Sequence, residues 1–269
     1  MTATSTLPER LLALGAGFTR HHDVLQSITL LRGPNPASNL LRHIPTTQSL
    51  AREALEMFDA LRAAPRLYHS PDVRAAMERS LQLAALATLA VDHLIGTVDI
   101  LQNAAHARRA EAVARHGEAR LEAGRRTTLA GRFTSLGAED CLATARLLAC
   151  ELHRQRLAPV HRPPAFSSAQ RTALETVAAG RVTLDRLLDK PYVQRGDARV
   201  TISTIRSLEA RGLVHREPCT LVLHDERVHL TPDGCRALAA ALSQPRSTTA
   251  ATERPAARPT ATVARAAAR

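Results

Sequence analysis

The sequence predicts a mainly α protein in two unequal parts: a helical region over residues 1–158, and a smaller unit of three helices, a β-hairpin and a closing helix over 166–243. Three observations carry that expectation. Apolar residues recur at three- and four-residue spacing through most of the first 150 positions, the period of a helix with one face turned inward. The segment "APVHRPPAF", 158–166, places three prolines in nine positions, a stiff connector rather than core, and marks 159–165 as a linker. After Gly212 two β-prone runs, "LVHRE" and "TLVLHDERVHL", surround the charged turn His224-Asp225-Glu226, a hairpin signal.

The elements of the helical region follow in order. Leu11, Leu14, Phe18, Leu25 and Ile28 form a first stripe that includes His21 and ends at Gly33-Pro34. Ala51, Ala54, Phe58 and Leu61 form a second, punctuated by Pro45 and Pro65. A third helix starts at Ser70-Pro71-Asp72, where serine caps, proline fits the first turn and aspartate meets the positive end of the helix dipole. From Leu81 to Leu101 it is apolar nearly all round, but Asp92, His93 and Asp99 interrupt it. Each aspartate at bilayer depth costs roughly 2.5 to 3.5 kcal/mol, so a soluble core helix is expected and no membrane. Beyond Asn103 the chain is rich in Ala and Arg, with Ala110, Gly117, Gly124 and Gly131 every seven residues. That spacing lets another helix approach closely; a solvated helix loosened by glycines is the plainer reading. Ala138, Cys141, Ala145, Leu148 and Leu152 make a last stripe. Helices this long often pair between subunits in coiled-coil fashion, and 1–158 is a possible dimerisation domain.

In the smaller unit Ser167 or Ser168 caps a helix with Leu174 and Val177 inward, closed by Gly180. Thr183 precedes a short helix carrying Leu184, Leu187 and Leu188 and ended by Pro191. After the loop "PYVQRGDAR" comes "VTISTIRSLEARGLVHRE", 200–217, an amphipathic helix that stops at a glycine. At about 100 degrees per residue, Ile202, Ile205, Leu208 and Glu209 share one side, whereas Ser203, Thr204, Ser207 and Ala210 point away, with Arg199 and Arg206 flanking. "TPDGCRALAAAL" opens the closing helix, with Thr231 as cap and Pro232 in the first turn.

Composition bounds the function. The net charge of +11 favours polyanionic partners. Residues 166–243 hold eleven basic against nine acidic side chains, while 244–269 hold five arginines and one glutamate and almost no large apolar residue, a basic disordered tail. Four cysteines without a CxxC pair suit a reduced, cytoplasmic setting, and "MTATSTLPER" is no secretory signal. No Trp, two Tyr and four Phe leave few stacking platforms for single-stranded bases. The phosphate-loop, dinucleotide and zinc-protease motifs are missing, so neither an enzyme nor a cofactor is expected. His215, His224 and His229 lie near Cys219 at no standard zinc spacing, and no metal is expected. Asp92 and Asp99 share a helix face beside His93, either a polar effector site inside the bundle or a solvent-facing stripe.

"TISTIRSLEARGLVHRE" together with "RVHLTPDGCRALAAAL" resembles the recognition helix, wing strand and closing helix of the winged helix-turn-helix domain of MarR-like bacterial regulators, over 166–243 only. The resemblance implies a recognition helix in the DNA major groove, with Ser203, Thr204, Arg206 and Ser207 as contacts and Arg199 at its flank, and Arg227 as a wing contact. It implies a sequence-specific, double-stranded-DNA-binding transcriptional regulator, and the long N-terminal helices add the expectation of a homodimer. The alternative is a structural or adaptor protein of plasmid, phage or chromosome maintenance, whose winged helix docks on protein and whose tail touches DNA nonspecifically.

Overall fold

The computed structural model describes residues 5–27, 31, 35–106, 112–157, 165–185, 190–193, 199–221 and 224–244. It is mainly helical with one small antiparallel sheet. The helical region contains α1 (Leu7–Leu25), α2 (Pro36–Leu41), α3 (Ile44–Ala63), α4 (Pro71–Ala105) and α5 (Ala112–Arg154). The smaller unit contains α6 (Ser168–Ala178), β1 (Val182–Asp185), β2 (Lys190–Val193), α7 (Ile202–Ala210), β3 (Val214–Leu221), β4 (His224–Leu230) and α8 (Pro232–Leu242).

Local signals set the helix starts. Ser70 caps α4 by accepting from the Val73 amide, and Thr231 caps α8 by accepting from Gly234. Ser167 and Gln170 form a reciprocal capping box on α6. Leu11, Leu14, Phe18, His21 and Leu25 lie buried along α1, as the periodicity predicts. On α3 the buried row is Leu50, Ala54, Met57 and Leu61, turned one residue from the expected stripe, with Phe58 half-buried. The six-residue α2 has no counterpart in the sequence reading, because it is too short to display a period. Along α5, Gly131 and Gly137 are covered by α1, and a methyl group at Gly137 would strike the Phe18 ring, whereas Gly117 and Gly124 face open space. The seven-residue glycine row is therefore not one continuous contact face.

Where a short helix is predicted after Thr183, the described residues form strands, Val182–Asp185 and Lys190–Val193. Val182, Thr183 and Leu184 form β1 and are fully buried, and β2 pairs with it so that Pro191 lies opposite Leu184. The sheet order β2-β1-β4-β3 puts β2 at an edge, where proline's missing N–H leaves no ladder bond unmade. Leu187 and Leu188, which suggested a helical stripe, lie outside the described residues, as do 159–164 of the linker and the tail from 245. Among the described residues no second helix stands between α6 and α7.

The two parts share a core. One apolar cluster runs from Leu11, Leu12 and Met57 through Leu148 on α5 to Leu174, Val182, Ile205, Leu208, Val228 and Leu238. The chain between α5 and α6 therefore does not separate two independent cores, because α1 and the end of α5 supply one wall of the smaller unit.

Candidate nucleic-acid interface

The helix α7 is built to be held by one side and one end. Ile205 and Leu208 are fully buried, and Ile202 packs partly against the same core. At the N-terminus Thr201 accepts from the Thr204 amide, and its hydroxyl lies 2.9 Å from those of both Ser203 and Thr204. At the C-terminus Gly212 takes φ +68°, the left-handed conformation that glycine adopts without strain. Its amide donates to the Glu209 carbonyl and that of Leu213 to Leu208, the paired bonds of a Schellman cap. Glu209 accepts from two nitrogens of Arg216 on β3, which ties the helix to the β3–β4 hairpin.

Arg199, Ser203 and Arg206 are exposed, and Thr204 is half-exposed. Ser207 is half-buried because Gln170 on α6 donates to its hydroxyl at 3.1 Å. Arg211, which the sequence reading passed over, stacks on Phe166 at 5.0 Å and also donates to Gln170. The outer side of α7 thus presents hydroxyls and guanidinium groups and no large apolar anchor.

Arg227 is the correction. The resemblance makes it a wing contact, but its side chain is 1% exposed. Its guanidinium donates from Nε and Nη2 to the two carboxylate oxygens of Asp23, at 2.9 and 2.5 Å, and from Nη1 to the Gly180 carbonyl at 2.7 Å. The cause is topological. β4 is an inner strand, and the side of the sheet on which Arg227 projects is covered by α1, so no groove can be reached from there.

One residue opposite Arg227 in the ladder, Glu217, meets the same helix. Arg20 donates to both of its oxygens, at 2.7 and 2.8 Å, and these bonds hold the carboxyl down at about 2. His215 lies 2.7 Å from it and His229 3.5 Å. Burial, more than any neighbouring charge, pushes the His229 imidazole down to about 4. This junction of α1 with the sheet was missed; the only hint was an unusual density of charge in "TRHHD" inside an otherwise apolar stripe.

The remaining candidates separate. Among the described residues no three His, Cys, Asp or Glu side chains converge to hold a metal ion. Asp92 and Asp99 are exposed, and His93 stacks on Phe133 at 5.6 Å, so the solvent-facing reading of this stripe replaces the internal polar site. An open groove of about 530 Å³ lies instead between α1 and α3, lined among others by His21, His43 and Glu53. There His21 shares a 2.7 Å hydrogen bond with Thr47, and burial pushes its imidazole down to about 4. Helix α4 is the one described helix long and apolar enough to cross a membrane, but it packs against α2, α3 and α5. Neither family models, nor curated proteins, nor solved structures give a match to this chain.

Proposed function

We propose that the protein binds duplex DNA through the outer side of α7 and acts as a sequence-specific transcriptional regulator, as a pair of subunits. The observation that carries the reading is the contrast between the two sides of α7. Its inner side is locked by Ile205, Leu208 and the Gly212 cap, while its outer side carries Arg199, Ser203, Thr204 and Arg206. Hydroxyls of this kind reach bases or phosphates, and arginine pairs bidentately with guanine. The net charge of +11 favours the approach. Arg227 leaves the contact set, whereas Ser207, which accepts from Gln170, keeps its own O–H to donate.

A second reading, a protein-docking adaptor, draws on the replacement of the helix before α7 by the β1–β2 hairpin and on the burial of the wing arginine. Incubation of the full chain with a pool of random duplexes, followed by sequencing of the bound fraction, separates the two. The regulator reading requires an enriched motif whose recognition weakens in Arg206→Ala. An unenriched pool favours the adaptor.

A further inference from the structure

We infer that the outer face formed by α4 and α5 is the surface on which a second copy of this chain docks, with α4 of one subunit lying on α5 of the other. This gives the subunit pairing of the reading above a surface, and its test needs no DNA, so either can fail alone.

The face is apolar beyond what one chain covers. Only 44% of the most apolar eighteen residues of α4 is buried. Leu89 on α4 is 44% exposed, and Leu129 and Leu136 on α5 are 37% and 47% exposed. The two helices run antiparallel side by side. The His93–Phe133 stack and the reach of Arg126 over Gly96 fix their levels: 93 beside 133, and 96 beside 126. Leu89 is accordingly about level with Leu136, Asp92 with Arg132, and Asp99 with Arg125. A two-helix face about 20 Å wide and 40 Å long offers on the order of 800 Å² per copy, the size of a standard stable interface.

Charge selects the occupant. Asp92 and Asp99, seven residues apart, are exposed on α4; Arg125 and Arg132, also seven apart, are exposed on α5. Seven residues are two helical turns, so each pair forms a short row along its helix. Among the described residues Asp92, Asp99 and Arg132 make no ion pair, and Arg125 makes only a 3.9 Å contact with Glu122. A two-fold axis parallel to the helices keeps every residue at its own level and lays α4 on the partner's α5. It therefore sets Asp92 against an arginine at the level of 132, Asp99 against one at the level of 125, and the leucine at 89 over that at 136. An axis across the helices would instead lay α4 on α4, acid on acid. The surface is complementary to itself in one arrangement, and that arrangement is an antiparallel four-helix bundle.

The test is charge exchange in the full chain, read by sedimentation. One variant carries Asp92→Arg with Asp99→Arg, the other Arg125→Asp with Arg132→Asp. Each alone opposes like charges at four places, and four exposed pairs are together worth about a 30-fold rise in the dimer dissociation constant. An equimolar mixture restores opposite charges everywhere and should recover the wild-type dimer as a heterodimer, with unchanged circular dichroism throughout. A wild-type chain that stays monomeric at 100 micromolar overturns the proposal. So do variants as dimeric as wild type, or separate variants whose mixture does not re-pair. A monomeric wild type that floats with phosphatidylcholine–phosphatidylglycerol vesicles would assign the face to lipid instead.

Discussion

The outer side of α7 and the inner side of β4 each carry an arginine, and the two could hardly differ more in circumstance. Arg206 stands exposed on a helix seated by its opposite face, whereas Arg227 is 1% exposed and spans Asp23 and the Gly180 carbonyl. In the sequence both are basic residues of a small, weakly charged unit. What separates them is which side of an element faces α1. Removing a side chain on α7 should therefore disturb binding and spare the fold, and removing one at the junction should do the reverse.

The largest effect is expected at the buried pair. Asp23→Ala leaves the Arg227 guanidinium desolvated with one carbonyl for a partner, and loss of one member of a buried pair costs about 3–5 kcal/mol. Chemical denaturation should show that loss. Asp23→Leu combined with Arg227→Met removes both charges and should recover most of it. If Asp23→Ala unfolded at the wild-type denaturant concentration, the junction would not hold the sheet to the bundle.

Acid should attack the same region through its histidines. His21 and His229 are held near 4 by burial, below the ordinary value of 6.5. The folded protein then binds fewer protons than the unfolded chain between pH 6.5 and about 4, so stability is complete above that window and falls as pH drops through it. A shift of this size is worth on the order of 3 kcal/mol per ring. Glu217, held down at about 2 by Arg20, adds stability that is present above about 4.5 and lost as pH falls toward 2. Urea midpoints should hold level from pH 8 to about 6.5 and fall from there to pH 4, and fall less in His229→Gln. A flat profile would contradict the burial of both rings.

Binding is the complementary probe. Arg206→Ala should leave the urea midpoint within about 0.5 kcal/mol of wild type, as for most exposed positions. If the side chain reads a guanine, duplex affinity should drop by roughly 1–3 kcal/mol with relaxed preference at one base. If it touches phosphate, affinity for all sequences should weaken and the salt slope should fall by about one. Ile205→Asp puts an unpaired charge in the core and should unfold the smaller unit. Arg206→Ala with wild-type affinity and specificity would remove α7 as the reader.

Much of this contrast was legible where its cause is local. The caps at Ser70, Ser167 and Thr231 and the stop at Gly212 are settled within four or five residues, and the inward set Ile205 and Leu208 follows from helical period alone. The β1 strand was not legible, because "VTLDRLL" offers leucines at helical spacing, whereas Val182–Asp185 is held as a strand by its pairing with β2 and β4. Nor was the role of Arg227, whose partner lies 204 residues away in the chain. Alternation along β4 says that Arg227 and His229 share a side, but only the packing of α1 says that this side is dry.

The smallest effect should come from the neighbouring pair, and it isolates burial as the variable. Arg20 and Asp23 are three apart on α1, and Glu217 and Arg227 lie opposite each other in the β3–β4 ladder, so one ion pair joins α1 to β3 and its neighbour joins α1 to β4. Both are bidentate. Arg20 and Glu217, however, keep 44% and 32% of their side-chain surface exposed, against 1% and 7% for Arg227 and Asp23. Water already solvates an exposed pair when its partner is removed, so a double-mutant cycle on Arg20→Ala and Glu217→Ala should give a coupling of about 0.2–1 kcal/mol, shrinking at high salt. The same cycle on Asp23 and Arg227 should give several times more and resist salt. Equal couplings would mean that geometry rather than desolvation sets the strength of this junction, and the contrast between the two arginines would lose its physical basis.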